Sequence, residues 1–282
     1  MRRRRHGRRR PVRGGLTLAG YAHLQVAQHG GIVVARLHRP EQRNALSPKL
    51  IAELTDFART HRTRSDLRAV VLAGAPDFFS AGADLDSAGA SAAEPPTLLQ
   101  LRELVAAGPD MCQAWEDIEV PTIVAIEGWC VGGACALALA CDFRICGAGG
   151  RMRLPEVPLG INMSWRSLPR LATLVGPARA KRFTMFGEFA DAPTMLDWGM
   201  VDAVVEAGGA EAAAMEWARR LEALPPLPIR MTKEAINATA NANHHATSYM
   251  DRDQFLLTFL SGDFREGTQA FFDKRKPDFK GN

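Results

Sequence analysis

Apolar positions fall into short runs between polar loops over the first two thirds of the chain, and into helical spacing thereafter. Gly31 to Leu37 and Leu67 to Ala73 are mostly apolar and each predicts a strand, and the apolar run Thr122 to Ile126 predicts a buried one. Phe143 to Cys146 predicts a shorter strand, and Gly199 to Val205 a turn followed by another. Helical patterns lie between them. Ser47-Pro48 offers an N-cap and a first-turn proline, followed by Leu50, Ile51, Leu54 and Phe57 at helical spacing. Leu98 to Ile118 predicts a long amphipathic helix whose point of interruption is Gly108-Pro109. Ala134 to Cys141, made of small and apolar residues, suits a closely packed helix. Further helices are expected through Trp165 and Leu168, then over Pro177 to Met185, Ala192 to Trp198 and Ala210 to Leu224. Pro225-Pro226-Leu227-Pro228 breaks the chain, and the pattern from Ile229 onward is helical throughout. Strand–helix alternation followed by helices predicts an α/β core over 16–224 with an appended helical region over 225–282.

Composition alters this picture little, and charge alters it more. A chain of 282 residues with 46% hydrophobic and 23% charged residues has the make-up of a soluble globular protein, and its longest apolar run, Trp129 to Cys141, is too short to span a bilayer. The formal net charge of +4 becomes −4 once the eight arginines within the first thirteen residues are set aside. A broad nucleic-acid face on the folded body is therefore not expected. Residues 1–15 are read as a disordered basic tail for which three roles compete, polyanion binding, organelle targeting and an extension without a role, the last favoured by the lack of aromatics and of an amphipathic stripe. Five cysteines (112, 130, 135, 141, 146) include no CxxC pair, which reads as buried reduced thiols in a cytoplasmic protein. The small-residue stretch Ala88 to Pro96 reads as a mobile loop.

Three places carry candidate chemistry. After the Thr122–Ile126 run, Gly132-Gly133 opens a helix, which leaves backbone N–H groups unpaired and aimed outward. Such donors hold an anion or an oxygen on which charge develops, although a glycine-rich turn before a core helix is more often structural. A second small-residue turn, Ser80-Ala81-Gly82-Ala83-Asp84-Leu85, lets a ligand approach the main chain near Ala83. If both turns face one cleft, their amides can converge on one carbonyl oxygen. Glu156 stands between Pro155 and Pro158, whose fixed φ angles stiffen the segment, amid Leu154, Val157 and Leu159. A carboxylate held there is partly desolvated and suited to proton transfer, while a plain helix cap or a pair with Arg151 or Arg153 is the competing role. His244-His245 reads as a solvated pair, and no histidine–cysteine set has metal-ligand spacing. Neither GxGxxG nor GxxxxGK[ST] occurs. Arg265 to Lys280 carries five cations with aromatics between them, which suits phosphates and a purine ring or simply a charged helix end.

Together these stretches resemble the crotonase, or enoyl-CoA hydratase/isomerase, superfamily from about His23 to Asn282. The resemblance rests on His38 to Ser47, Ser80 to Leu85, Gly128 to Asp142, Pro155 to Gly160, Gly199 to Asp202 and Arg265 through Pro277, in matching order and spacing. It implies a crotonase-like spiral of ββα units with a C-terminal helical trimerisation region, assembled as a homotrimer or as a hexamer of two trimers. It implies acyl-CoA thioesters as substrates, with no metal or redox cofactor, coenzyme A being part of the substrate. The Ala83 and Gly133 amides would form an oxyanion hole. Arg43, Ala45, Ala81, Ala83, Asp84, Leu85, Asp86, Gly132 and Gly133 would lie along the coenzyme A, and Lys274, from the same or a neighbouring subunit, would help hold its phosphates.

The chain departs from the family at two points. Hydratases of this family use two glutamates; the second aligns with Glu156 and the first with Ala136, which carries no proton. The family's Pro-Gly-Ala-Gly-Gly stretch is replaced by Met163-Ser164-Trp165-Arg166-Ser167, placing bulk and charge near the expected acyl pocket. One base beside a stabilised enolate suffices for a 1,3 proton shift, so Δ3,Δ2-enoyl-CoA isomerisation is the expected activity. Hydration of 2-enoyl-CoA is the alternative, and it requires Asp84, Asp86 or Glu116 to reach the water. A non-catalytic acyl-CoA-binding or RNA-binding homologue is the alternative of a different class, motivated by the missing glutamate and the arginine-rich tail.

Overall fold

The computed structural model describes residues 16–18, 20–84 and 95–282. The basic tail over 1–15, together with Leu85, Asp86 and nearly all of the loop ending at Pro96, lies outside the described residues. Strand β1 (Leu16–Leu18) pairs antiparallel with β2 (Leu24–His29), which pairs antiparallel with β3 (Ile32–Leu37). Helix α1 (Pro48–His61) starts where the sequence placed it, with the Ser47 hydroxyl accepting from the Leu50 N–H. Strand β4 (Ala69–Ala73) follows, then helices α2 (Leu98–Leu104) and α3 (Ala107–Glu116), strand β5 (Thr122–Ile126) and the short strand β6 (Trp129–Val131). Helix α4 (Gly133–Leu139) leads to β7 (Phe143–Gly147) and β8 (Arg151–Arg153). Next come α5 (Ser167–Val175), α6 (Pro177–Phe186), β9 (Ala190–Asp191), α7 (Ala192–Asp197), β10 (Ala203–Val205) and α8 (Ala210–Glu222). The chain finishes in α9 (Pro226–Ala240), α10 (His244–Ser248), α11 (Asp251–Phe259) and α12 (Gly262–Phe272).

Among the described residues the main sheet has seven strands in the order β1-β2-β3-β4-β5-β7-β10, parallel from β3 onward. Parallel strands are covered on both faces, which is why β4 and β5 read as unbroken apolar runs and are buried at every position. Ile32, Val34, Val71 and Ile123 pack on one face against Ala210, Ala214 and Ala218 of α8. Val33, Ala35, Val70, Leu72 and Val124 join the larger core on the other face with α1, α3 and α4. A second sheet of three strands, β6-β8-β9, stands apart from the first.

Several expected boundaries move. The helix expected over Leu98 to Ile118 divides at Val105 and Ala106 rather than at Gly108-Pro109, which sits inside the first turn of α3. A proline there removes only an N–H that has no intrahelical partner anyway. The proline cluster likewise breaks the chain for less than expected: Pro225 is extended, and Pro226 and Pro228 are already within α9. Trp165 is not helical. Trp165 and Arg166 are both left-handed, with φ of 64° and 55°, and α5 begins only at Ser167.

The helical region over 225–282 is bound tightly to the core. Lys233 Nζ lies 2.6 Å from Asp142 Oδ2, and Arg230 Nη1 lies 2.7 Å from Glu119 Oε2. All five cysteines are free and buried, and among the described residues no helix is long and apolar enough to cross a membrane.

Candidate active site

Three parallel chain segments deliver the candidate residues. Ser80 bridges Cys130 in β6, and β6 pairs parallel with β8, Val131 lying opposite Arg153. Segments that run side by side in one direction end at the same edge, so the turns after them emerge together. Past Ser80 comes Ala83, past Val131 come Gly132 and Gly133, and past Arg153 comes Glu156. Two hydrogen bonds fix the spacing: Val131 N–H to the Ser80 carbonyl at 3.2 Å and Gly132 N–H to the Arg153 carbonyl at 2.9 Å. β6 and β8 are three residues each, too short for periodicity to reveal, so the local pattern gives no sign of this juxtaposition, which only the family resemblance implied.

The Ala83 turn is stitched to the loop before α1. Leu46 N–H donates to the Gly82 carbonyl at 2.7 Å, and Asp84 N–H donates to the Leu46 carbonyl at 3.3 Å. Ala81 N–H reaches the Arg43 carbonyl, and the Ser80 hydroxyl donates to the buried Asn44 carbonyl. Arg39 closes the loop by pairing with Asp84 at 2.9 Å while also donating to the Ala45 carbonyl. Arg43, Ala45, Ala81, Ala83 and Asp84 are thus brought into one cluster beside Gly132 and Gly133. The approach is close: a Cβ on Gly82 would lie 2.5 Å from the Val131 carbonyl oxygen and 3.6 Å from the Gly133 nitrogen. Among the described residues neither the Ala83 nor the Gly133 N–H makes a hydrogen bond.

Glu156 follows Pro155 at the end of β8, and its carbonyl accepts from Leu159 and Ile161 in a tight turn closed by Gly160 at φ 83°. Its side chain turns inward. Oε1 is 2.8 Å from where a Cβ would stand on Gly132, so a side chain there would displace the carboxyl, and at φ 55° only glycine is unstrained. Oε2 is buried with no hydrogen-bond partner. Burial pushes the Glu156 carboxyl up to about 7, with its own backbone N–H and the Arg153 guanidinium pulling weakly the other way. The capping and ion-pair roles are not what this side chain does: it caps no helix and forms no salt bridge among the described residues. Helix α12 braces the turn from behind, since a Cβ on Gly267 would lie 2.5 Å from the Leu159 carbonyl oxygen.

Trp165, expected from the resemblance to put bulk near the acyl pocket, stands against the same turn. A Cβ on Gly133 would lie 2.4 Å from its Cζ3, and one on Gly108 would lie 2.1 Å from its Cε2. The indole is therefore clasped between α3 and the first residue of α4. Its unusual backbone is held by Asp251 of α11, whose Oδ2 accepts from the Arg166 N–H at 2.8 Å and the Ser164 hydroxyl at 3.1 Å. Burial raises the Asp251 carboxyl above its ordinary range.

Other candidates lie elsewhere. Lys274 is exposed beyond α12 in a left-handed conformation, and among the described residues no contact joins it to the cluster. Within the basic stretch Arg275 pairs with Glu266 and Lys280 with Asp278. Glu116 is taken up by Arg170 and Asn241. His244 is not solvated as expected; it is half-buried, with Nε2 3.1 Å from the Thr173 hydroxyl, and burial lowers its pKa. A cleft of about 560 Å³ between α3, α9 and α10 is lined by Glu116, Arg170, Arg230 and Lys233, charges already paired with one another or with the core. It does not coincide with the Ala83–Gly133–Glu156 cluster.

Residues 27–282 match the enoyl-CoA hydratase/isomerase family, and the chain belongs to it. The crotonyl-CoA hydratase of Syntrophomonas wolfei is 29% identical over 260 residues, covering 92% of this chain and 98% of its own. The 2,3-dehydroadipyl-CoA hydratase of Escherichia coli is 30% identical over 258 residues, with the same coverage of both chains. A crystal structure of an enoyl-CoA hydratase from Bacillus anthracis superposes with a TM-score of 0.73 at 31% identity, over 93% of this chain and all of that one. An enoyl-CoA hydratase/isomerase from Pseudoalteromonas atlantica gives 0.82 at 27% identity, over 92% of this chain and all of that one. The mixed α/β architecture is that of the crotonase fold, and the family is one of enzymes.

Proposed function

We propose that this enzyme isomerises 3-enoyl-CoA to 2-enoyl-CoA with Glu156 as its sole proton carrier. The thioester oxygen would sit between the Ala83 and Gly133 amides, which have no other partner among the described residues. Glu156 takes a proton from C2, the resulting negative charge spreads onto the oxygen held by those amides, and the same carboxyl returns the proton to C4. No atom is gained or lost, so no water or second carboxylate is needed. The observation that carries this reading is the inward carboxyl of Glu156, 2.8 Å from the Cβ position of Gly132 and poised near neutral pH. Ala136 is fully buried in α4 and cannot take a share of the proton traffic. Arg43, Ala45, Ala81, Asp84, Leu85, Asp86 and Gly132 would line the coenzyme A, with Lys274 reaching its phosphates from a neighbouring subunit. The C-terminal helices support a homotrimer or a hexamer of two trimers: Leu227, Met231 and Ile236 of α9 are each at least 60% exposed.

Hydration is the second reading, favoured by the names of the relatives. It needs a second carboxylate, and Glu116 and Asp84 are held by Arg170 and Arg39. The two readings separate in one assay of purified protein against 3-hexenoyl-CoA and crotonyl-CoA. Isomerisation of the first, lowered on the order of 10²–10⁴-fold by Glu156→Gln, is expected. Rapid hydration of crotonyl-CoA, untouched by the same substitution, would overturn the single-base reading.

A further inference from the structure

We propose that the Trp165 indole is the end wall of the acyl pocket and restricts the enzyme to short acyl chains. The inference rests on the acyl-CoA reading above and adds a specificity-determining residue to it. With the thioester oxygen on the Gly133 amide and C2 beside Glu156, which lies against Gly132, the chain beyond C4 would run on past the Cα of Gly133. That space is filled. Trp165 Cζ3 and Cη2 lie 2.4 and 2.5 Å from the Gly133 Cβ position, and Cε2 and Nε1 lie 2.1 and 2.4 Å from that of Gly108. One rigid ring thus spans the gap between α3 and the start of α4, and both contacting positions are glycines because no other residue leaves room for it.

The wall is also fixed. Two successive left-handed residues, one of them a tryptophan, form a conformation that neighbours must enforce. Asp251 holds the Arg166 amide and the Ser164 hydroxyl, Arg166 Nη1 donates to Gln113 of α3, and the Ser167 hydroxyl donates to the Ser164 carbonyl. Arg170 donates to the Trp165 and Arg166 carbonyls. The indole Nε1 donates to nothing among the described residues, so the ring acts by shape. A smaller side chain on the same backbone would open a channel between Gly108 and Gly133.

The test is calorimetric titration of the full-length protein and its Trp165→Ala and Trp165→Phe variants with coenzyme A, butyryl-CoA and decanoyl-CoA, which bind without reacting. Unreplaced protein is expected to bind decanoyl-CoA at least about tenfold more weakly than butyryl-CoA, because its extra methylenes find no apolar home. Trp165→Ala is expected to abolish or reverse that gap while leaving affinity for coenzyme A within about threefold, and Trp165→Phe to retain most of the gap. Equal affinity of the unreplaced protein for the two thioesters would overturn the inference, even if Trp165→Ala fails to fold. So would a gap unchanged in a folded Trp165→Ala. Absence of binding by coenzyme A and both thioesters would instead overturn the acyl-CoA reading beneath it.

Discussion

Glu156 shows how a single side chain can be pulled in opposite directions by folding and by function. A free glutamate releases its proton near 4.5, whereas burial holds this one until about 7. Between those values the folded chain binds a proton that the unfolded chain has lost, so the contribution of this group to stability is complete below 4.5 and is lost as pH rises through 7. Ionised Glu156 therefore costs the fold about 3 kcal/mol at pH 8. Glu156→Gln is expected to melt at a higher temperature than the unreplaced protein at pH 8, and the difference to vanish at pH 4; thermal unfolding at the two pH values reads it out. Catalysis runs the other way, since the base must be ionised, and kcat/KM for isomerisation is expected to rise with pH and level off above about 7. At this scale the sequence is informative where stiffness is local. Pro155 and Pro158 announce a held carboxylate at Glu156. Trp165 looks helical because its apolar neighbours continue a helical pattern, while the two glycines that admit its ring lie 57 and 32 residues away in the chain and mark nothing locally.

Among the elements, β4, β5 and α1 were legible, and so were the short β10 and α7, whereas β2, β6 and β8 were not. β4, β5 and α1 declare themselves through apolar runs and the Ser47 cap, because burial on two faces and helix capping each leave a local signature. β6 and β8 leave none, yet their parallel pairing decides that Gly133 and Glu156 emerge together. The family resemblance supplied that meeting point in advance; the local pattern could not have. α12 matters for a similar reason. Its Gly267 lets the helix lie directly on the Leu159 carbonyl, behind the turn that carries Glu156. Gly267→Ala brings a methyl to 2.5 Å from that backbone oxygen, and neither side can yield without moving a helix or the turn. It is expected to destabilise the protein by about 1–3 kcal/mol in urea unfolding and to lower kcat more than it raises KM for the coenzyme A thioester.

For the molecule as a whole, the helical region after 225 is fastened to the core by side chains from both. Asp142 receives Lys233, Glu116 receives Asn241, and Asp251 fastens the turn bearing Trp165, so residues after 225 complete the core. α9 nevertheless presents Leu227, Met231 and Ile236 to solvent in the single chain. These are the positions at which the proposed assembly would make its contacts. Light scattering on the eluting protein is expected to give the mass of a trimer or hexamer, and a monomer at micromolar concentration would overturn the assembly proposed above.

The clasp of Gly108, Trp165 and Gly133 also limits how a lineage carrying it can change its diet. Enlarging either glycine drives a methyl into an aromatic plane, and trimming the tryptophan alone leaves a hollow that its neighbours are too firmly tied to collapse into. Routes to a longer substrate therefore begin with the ring, since the glycines tolerate nothing until it is gone. The three positions are expected to be inherited, and lost, as a set.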